Sequence, residues 1–277
     1  MQLQFLCTQW GSEHLDANEF MDKVVSEGYD GIEINLPQNN NYTATILNRI
    51  SEIRKSKTFV FVAQQVLAPA IESAAEYKKR FTERLQFLLD LNPDFINSHT
   101  GKDYYSFDTN YDLIEKAEKL STQTGIPIIH ETHRGRFSFH LASILPYLKE
   151  FPQLQLAADL SHWCNVSESL LADQQLLLKQ VIPHFTHIHA RVGYEHGPQV
   201  NDPRAPEWQN YLDTFIAYWK KILAFHKANG KKMFTILTEF GPVPYMPTAP
   251  FTNHPLAEQW EVNVFMKDLL GKELNFE

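Results

Sequence analysis

Short apolar runs rich in β-branched and aromatic residues alternate along this chain with longer stretches in which apolar positions recur every three or four residues. The first pattern reads as strand and the second as amphipathic helix. Strands are predicted near residues 2–10, 30–36, 58–65, 93–99, 126–131, 154–159, 184–190 and 233–239. EFMDKVVSEG, closed by Gly28, ESAAEYKKRFTERLQFLLDL and the final EQWEVNVFMKDLLGK read as outer helices. Eight strands alternating with helices, without a linker or low-complexity tract, predict an α/β fold: one (β/α)8 TIM barrel, a single domain over residues 1–277. One long connection breaks the rhythm, RVGYEHGPQVNDPRAPEW at 191–208, rich in Pro and Gly. Connections of that length are usually functional, and this one is expected to be a lid over the site.

Composition adds mainly exclusions. The 43% of hydrophobic residues can fill a large core, but no apolar stretch approaches the roughly 18 residues that a membrane span needs. Lys and Arg number 25 against 33 Asp and Glu, a formal charge of −8 with no dense basic block, so a nucleic-acid partner is not expected. MQLQFLCTQW lacks the basic and long apolar regions of a secretory leader and reads as a first strand, which predicts a cytoplasmic protein. Cys7 and Cys164 are too few for a disulfide framework and are expected to be reduced and packed. Homo-oligomerisation stays open.

The candidate chemistry sits where the apolar runs end. Glu131 closes IPIIHE, Asp159 closes LQLAAD, His189 lies near the end of FTHIHA, and Glu239 closes MFTILTE. In a parallel barrel the carboxyl ends of the strands deliver side chains to one rim. Stepping back two residues from each ligand gives Ile129, Ala157, His187 and Leu237 as the inward layer beneath, apolar except for the histidine. Three carboxylates converging above such a layer would be costly to bury without a cation. Three oxygen donors and one imidazole suit Mn²⁺, Mg²⁺ or Co²⁺, with Zn²⁺ also admissible. The expected metal ligands are therefore Glu131, Asp159, His189 and Glu239. The expected substrate-contacting set is His162, His99, Arg191, His133, Trp10 and His187, the last through a hydrogen bond from the layer below. Tyr104, Tyr105 and Trp163 are further candidates to stack on an apolar substrate face, and Asp159 is also placed to cap a helix. Glu33, in GIEINLP, is read as a partner of a nearby arginine rather than a pocket residue.

The series Glu131, Asp159-x-x-His162, His187-x-His189 and Glu239, each on its own strand and in this order, resembles the xylose isomerase-like TIM-barrel superfamily over nearly the whole chain. That superfamily groups sugar isomerases and epimerases with apurinic endonucleases and includes dehydratases of cyclic polyols. The resemblance to its ketose 3-epimerases implies one Mn²⁺ on the four matching ligands, Glu131 and Glu239 as the catalytic pair that shuttles the substrate proton, and His162 as a substrate contact. It implies metal-assisted enolisation of a ketose or polyol through an enediolate. Phe137 and Glu195 stand where those epimerases carry a further Glu and an Arg, so Arg191, Arg134 or Arg136 would have to supply the missing cation.

The apurinic endonuclease branch, a zinc-dependent phosphodiesterase, binds three zinc ions. His99 and Asp202 are plausible extra ligands, but Arg204 replaces one required histidine and Gln64 and Gln65 end the third strand in place of another. Two ligands short and acidic, the chain is not expected to follow that branch. Two alternatives to the isomerase or epimerase remain at sequence level: a polyol or inosose dehydratase on the same metal site, and a barrel that binds a sugar without turning it over.

Overall fold

Eight parallel strands close into a barrel in chain order: β1 (Gln2–Thr8), β2 (Gly31–Ile34), β3 (Val60–Gln65), β4 (Phe95–Ser98), β5 (Ile128–Glu131), β6 (Leu156–Ala158), β7 (Phe185–Ala190) and β8 (Met233–Thr238). Closure comes from β1, which pairs with β2 on one side and with β8 on the other. The structure, a computed structural model, describes residues 1–274. Every predicted strand is present, and the predicted helices form at Ala17–Ser26, Ala74–Asp90 and Gln259–Glu273. Local chemistry starts two of them: Asp16 and Glu19, and Ser73 and Glu76, form reciprocal capping boxes that satisfy first-turn amides. Among the described residues no helix is long and apolar enough to cross a membrane.

Strand alternation divides the core. Side chains facing outward pack beneath the helices, with Ile32, Phe61 and Ile96 on one half and Leu156, Ile188 and Ile236 on the other. Facing inward, Leu6, Val60, Val62 and Leu237 plug the bore, with Phe95 against them. Ile129, Ala157 and Leu237 are buried apolar residues as expected, and His187 is the polar one. Both cysteines are free and buried.

The 191–208 connection departs from the expectation of a lid. Arg191, Val192, Gln199 and Val200 are all buried, and Tyr194 and Gly197 bridge to each other in a small antiparallel turn. Gln199 ties this segment to the β8 exit, donating to the Gly241 carbonyl at 3.1 Å and accepting from its amide at 2.7 Å. It is a packed wall of the barrel mouth. The physical reason is that Val192 before the turn and Gln199 and Val200 after it are buried, which a Pro and Gly count does not register.

Candidate active site and metal centre

The four expected ligands converge. One donor atom from each of Glu131, Asp159, His189 and Glu239 lies within 4.8 Å of the others, and all four side chains are buried. Glu131 ends β5 and Glu239 follows β8 directly, so both are aimed by sheet backbone. Asp159 follows β6 and caps the helix Leu160–Val166, accepting from the Ser161 amide at 3.1 Å. Its backbone is pinned to the β5 exit by Thr132, whose hydroxyl receives the Asp159 amide at 2.8 Å. Asp159 Oδ1 does the capping, and Oδ2 faces Arg191.

His189 stands between two carboxylate groups. Its Nδ1 lies 2.8 Å from Glu239 and 3.6 Å from Glu131, while its Nε2 lies 3.3 Å from Glu33. If a cation displaced the Nδ1 proton, the proton left on Nε2 would face Glu33 and Nδ1 would offer its lone pair to that cation. Glu33 is 1% exposed and also lies 3.1 Å from His187 and accepts from Asn97 at 2.8 Å. Its partners are histidines and an amide, not the arginine expected. The same Asn97 amide donates to Glu131 at 2.8 Å, tying the two carboxylates together.

Charge balance tests whether these residues suit a metal ion. Four buried carboxylates, Glu33, Glu131, Asp159 and Glu239, face one guanidinium and the His189 imidazole. Burial works against charge on His189, but Glu239, Glu33 and Glu131 outweigh it and hold the imidazolium well above its ordinary range. Burial also pushes Glu131 up, yet His99 and His189 keep its carboxyl well below the usual carboxylate range. Glu239 goes the other way, raised by burial and by the Glu131 charge despite His189 and Arg191. The cluster is short of positive charge, and its donor set of three carboxylates and one imidazole fits a hard or borderline divalent cation.

Arg191 is 2% exposed and pairs with Asp159; its guanidinium also lies 2.9 Å from His162 and 3.7 Å from Glu239. Its Nη1 is buried without a partner. Above this floor opens a cleft of about 330 Å³ lined by Trp10, Gln64, His99, His133, Arg136 and Tyr245, together with Glu131, Arg191 and Glu239. His99 lies 2.9 Å from Glu131, and a row of rings runs from His99 to His133 at 4.5 Å and on to His162 at 3.9 Å. Burial lowers both His133 and His162 well below the ordinary imidazole value, so both are neutral.

Of the expected substrate contacts, His99, His133, Arg191 and Trp10 line the cleft. His162 lies behind His133 and Arg191, fully buried, and His187 lies a layer lower, where Nδ1 meets Thr235 at 2.7 Å; neither lines the cleft. Trp163 is a core residue whose indole donates to the Ser138 carbonyl, Tyr105 packs on Tyr77, and Tyr104 is 75% exposed. Arg204 pairs with Asp202 inside its own turn, and neither lines the cleft. Phe137 is core, against His130 and Tyr147, while Arg134 stacks on Tyr245 at 5.2 Å. Tyr245 itself escaped the sequence reading because it lies in an irregular segment without strand or helix periodicity. Gly241 makes room for Trp10: a Cβ there would meet the indole at 2.3 Å.

No family model matches the sequence, and no curated protein does. Solved structures match over nearly the full chain. The probable 3-DHS dehydratase AsbF involved in petrobactin synthesis, from Bacillus anthracis, is 16% identical, with a TM-score of 0.60 over 97% of this chain and 98% of that one. A D-psicose 3-epimerase is 15% identical, at 0.61 over 98% and 99%. A xylose isomerase domain protein from Alicyclobacillus acidocaldarius is 12% identical, at 0.58 over 98% of each chain. The chain thus has the fold of the xylose isomerase-like barrels.

Proposed function

We propose that this chain is a divalent-metal-dependent isomerase or epimerase that moves a proton at the carbon beside the carbonyl of a sugar or sugar-derived substrate. The observation that supports this most is the convergence of Glu131, Asp159, His189 and Glu239 at the floor of a cleft. These four residues would hold the ion, Mn²⁺, Mg²⁺ or Co²⁺ by donor type, and it would place positive charge beside the substrate carbonyl and so acidify the neighbouring proton. The remaining work falls to the protein. Glu131 and Glu239, both ionised as ligands, come from separate strands and are suited to take the proton from one side of the substrate and return it from the other. Trp10 and Tyr245, edge to face at 4.9 Å, form a wall for the apolar face of a sugar ring. Arg136 lines the same cleft with a buried Nε that has no partner, and it would bond a substrate hydroxyl.

A second reading, a dehydratase, is favoured by one observation. The row of His99, His133 and His162 borders Glu131 while Phe137 has left the cleft for the core. After the same proton abstraction, Glu131 would pass that proton to the departing hydroxyl, whose oxygen the neighbouring imidazoles would hydrogen-bond. One experiment separates these readings: incubation with Mn²⁺ and a panel of ketoses and inososes in D₂O. Deuterium entering the substrate with the carbon skeleton kept is the expected result, lost in Glu131→Gln and in Glu239→Gln. Loss of water to an unsaturated ketone selects the dehydratase. No exchange and no product with any of the panel at saturating Mn²⁺ overturns both.

A further inference from the structure

The larger cavity of this protein is at the other end of the barrel. Its lining comes from strand starts, Gln4 on β1, Val60 on β3, Phe95 on β4, Ile129 on β5 and Thr235 on β8, so it opens at the mouth opposite the carboxylates. Its volume, about 560 Å³, exceeds that of the catalytic cleft and falls within the range that holds a drug-sized molecule. Val60, Phe95 and Ile129 give it an apolar floor continuous with the plug of the bore.

The walls carry an imbalance of charge. Arg54, Lys57 and Lys231 line the cavity with one carboxylate, Asp94, and Arg54 takes it at 2.5 Å. Among the described residues Lys57 and Lys231 have no carboxylate within ion-pair distance. Lys231 is half-buried, and burial holds its ammonium below the ordinary lysine value. Its contacts are a long 3.4 Å bond to the Thr186 carbonyl and the face of Phe234 at 4.6 Å. The Gln4 side chain, on a residue only 5% exposed, lines the same cavity. A half-buried cation without a counter-ion, Lys231, costs free energy that a bound anion would recover, and the exposed Lys57 adds a second positive charge at the rim.

We propose that this amino-terminal mouth binds a small anion carried on an apolar body, a phosphate or carboxylate head on a ring or short chain. Lys231 and Lys57 take the head, Gln4 bonds its remaining oxygen or a neighbouring polar atom, and the floor of Val60, Phe95 and Ile129 takes the body. The site is independent of the chemistry proposed for the opposite mouth.

The test titrates the full chain with phenyl phosphate, benzoate and inorganic phosphate by calorimetry. Saturable one-to-one binding of phenyl phosphate or benzoate is expected, with inorganic phosphate weaker, and the preferred head identifies the ligand's anion. Lys231→Met, which keeps the stem and removes the charge, should weaken binding roughly tenfold, the worth of one charge-assisted hydrogen bond. Arg191→Ala should leave it unchanged. Absence of saturable binding at millimolar concentrations of every probe overturns the proposal. So does binding that survives Lys231→Met and disappears in Arg191→Ala, which would place the anion in the catalytic cleft. Equal affinity for phenyl phosphate and inorganic phosphate removes the apolar body from the ligand.

Discussion

The two mouths of this barrel are built from the same eight strands and differ in almost every other respect. At the carboxyl end four buried carboxylates outnumber the cations, and the cleft is the smaller of the two. At the amino end unpaired lysines stand over an apolar floor, and the cavity is larger. Size therefore does not locate the chemistry here. What separates the mouths is preorganisation: each carboxylate of the upper one is held by a strand end and a named partner, whereas the lysines of the lower one reach in on flexible stems. The two are joined through the bore by a polar file, Thr235 to His187 to Glu33 to His189, running beside the plug of Leu6, Val62 and Leu237.

The comparison breaks most sharply at Asp159. Asp159→Ala removes one ligand and the partner of Arg191, leaving that guanidinium to repel a cation; stoichiometric Mn²⁺ binding should vanish while the barrel still folds. Calorimetry and elemental analysis of the variant check this, and wild-type protein that takes up no metal at millimolar Mn²⁺ would remove the functional basis of the upper mouth. Lys231→Met should leave metal binding untouched, so that each mouth answers only to its own residues.

Glu33 comes next. Glu33→Ala should lower Mn²⁺ affinity by about 10–100-fold, the usual cost of losing the carboxylate that orients a ligating histidine, and Glu33→Gln, which can still accept from Nε2, should recover part of it. In the metal-free protein the same residue gives a pH signature. Burial would raise its carboxyl, but the His189 and His187 contacts win and hold it down to about 2 from an ordinary 4.5. Stability contributed by that shift is fully present above pH 4.5 and fades as pH falls toward 2. Urea unfolding should show a flatter acid limb in Glu33→Gln than in wild type, and parallel limbs would mean that Glu33 is not ionised in the folded chain.

How legible these regions were follows from where each residue sits. The residues that converge announce themselves because an apolar run closes at or beside a titratable side chain, as at Glu131, Asp159, His189 and Glu239. Glu33 lies one residue before the end of β2, yet its partners, His187 and His189, lie more than 150 residues further on, and nothing local in GIEINLP names them. The row of His99, His133 and His162 arises from three separate connections, so only the closed barrel brings the rings together. The amino-terminal mouth was not read at all: Lys57 and Lys231 lie in short turns before β3 and β8, where basic residues ordinarily face water. The lid expectation failed because length and Pro and Gly content report turns, not whether the residues between them are buried.

That failure supplies the next test. Gln199→Ala strips the Gly241 amide and carbonyl of their buried partners, and each unsatisfied group costs about 1–3 kcal/mol. Thermal unfolding should show a loss of that size, and a larger loss of turnover than of metal binding, because the Gly241 segment carries Trp10 and leads to Tyr245. A mobile lid would instead show little change in unfolding.

The smallest expected effect concerns the two arginines of the 191–208 segment. Arg191 is buried among Asp159, His162 and Glu239, whereas Arg204 is half-exposed and spends its charge on Asp202 two residues away. An exposed pair of that kind contributes about 0–1 kcal/mol, so Arg204→Ala should unfold within about 1 kcal/mol of wild type and keep its turnover. Arg191→Ala should keep its metal, since Asp159 is then released to the cation alone, but lose turnover as the cleft loses the positive charge facing the substrate. Equal turnover in the two variants would mean that the upper mouth draws its substrate-facing charge from Arg136 or Arg134, and the contrast between a preorganised mouth and a flexible one would then narrow to the carboxylates.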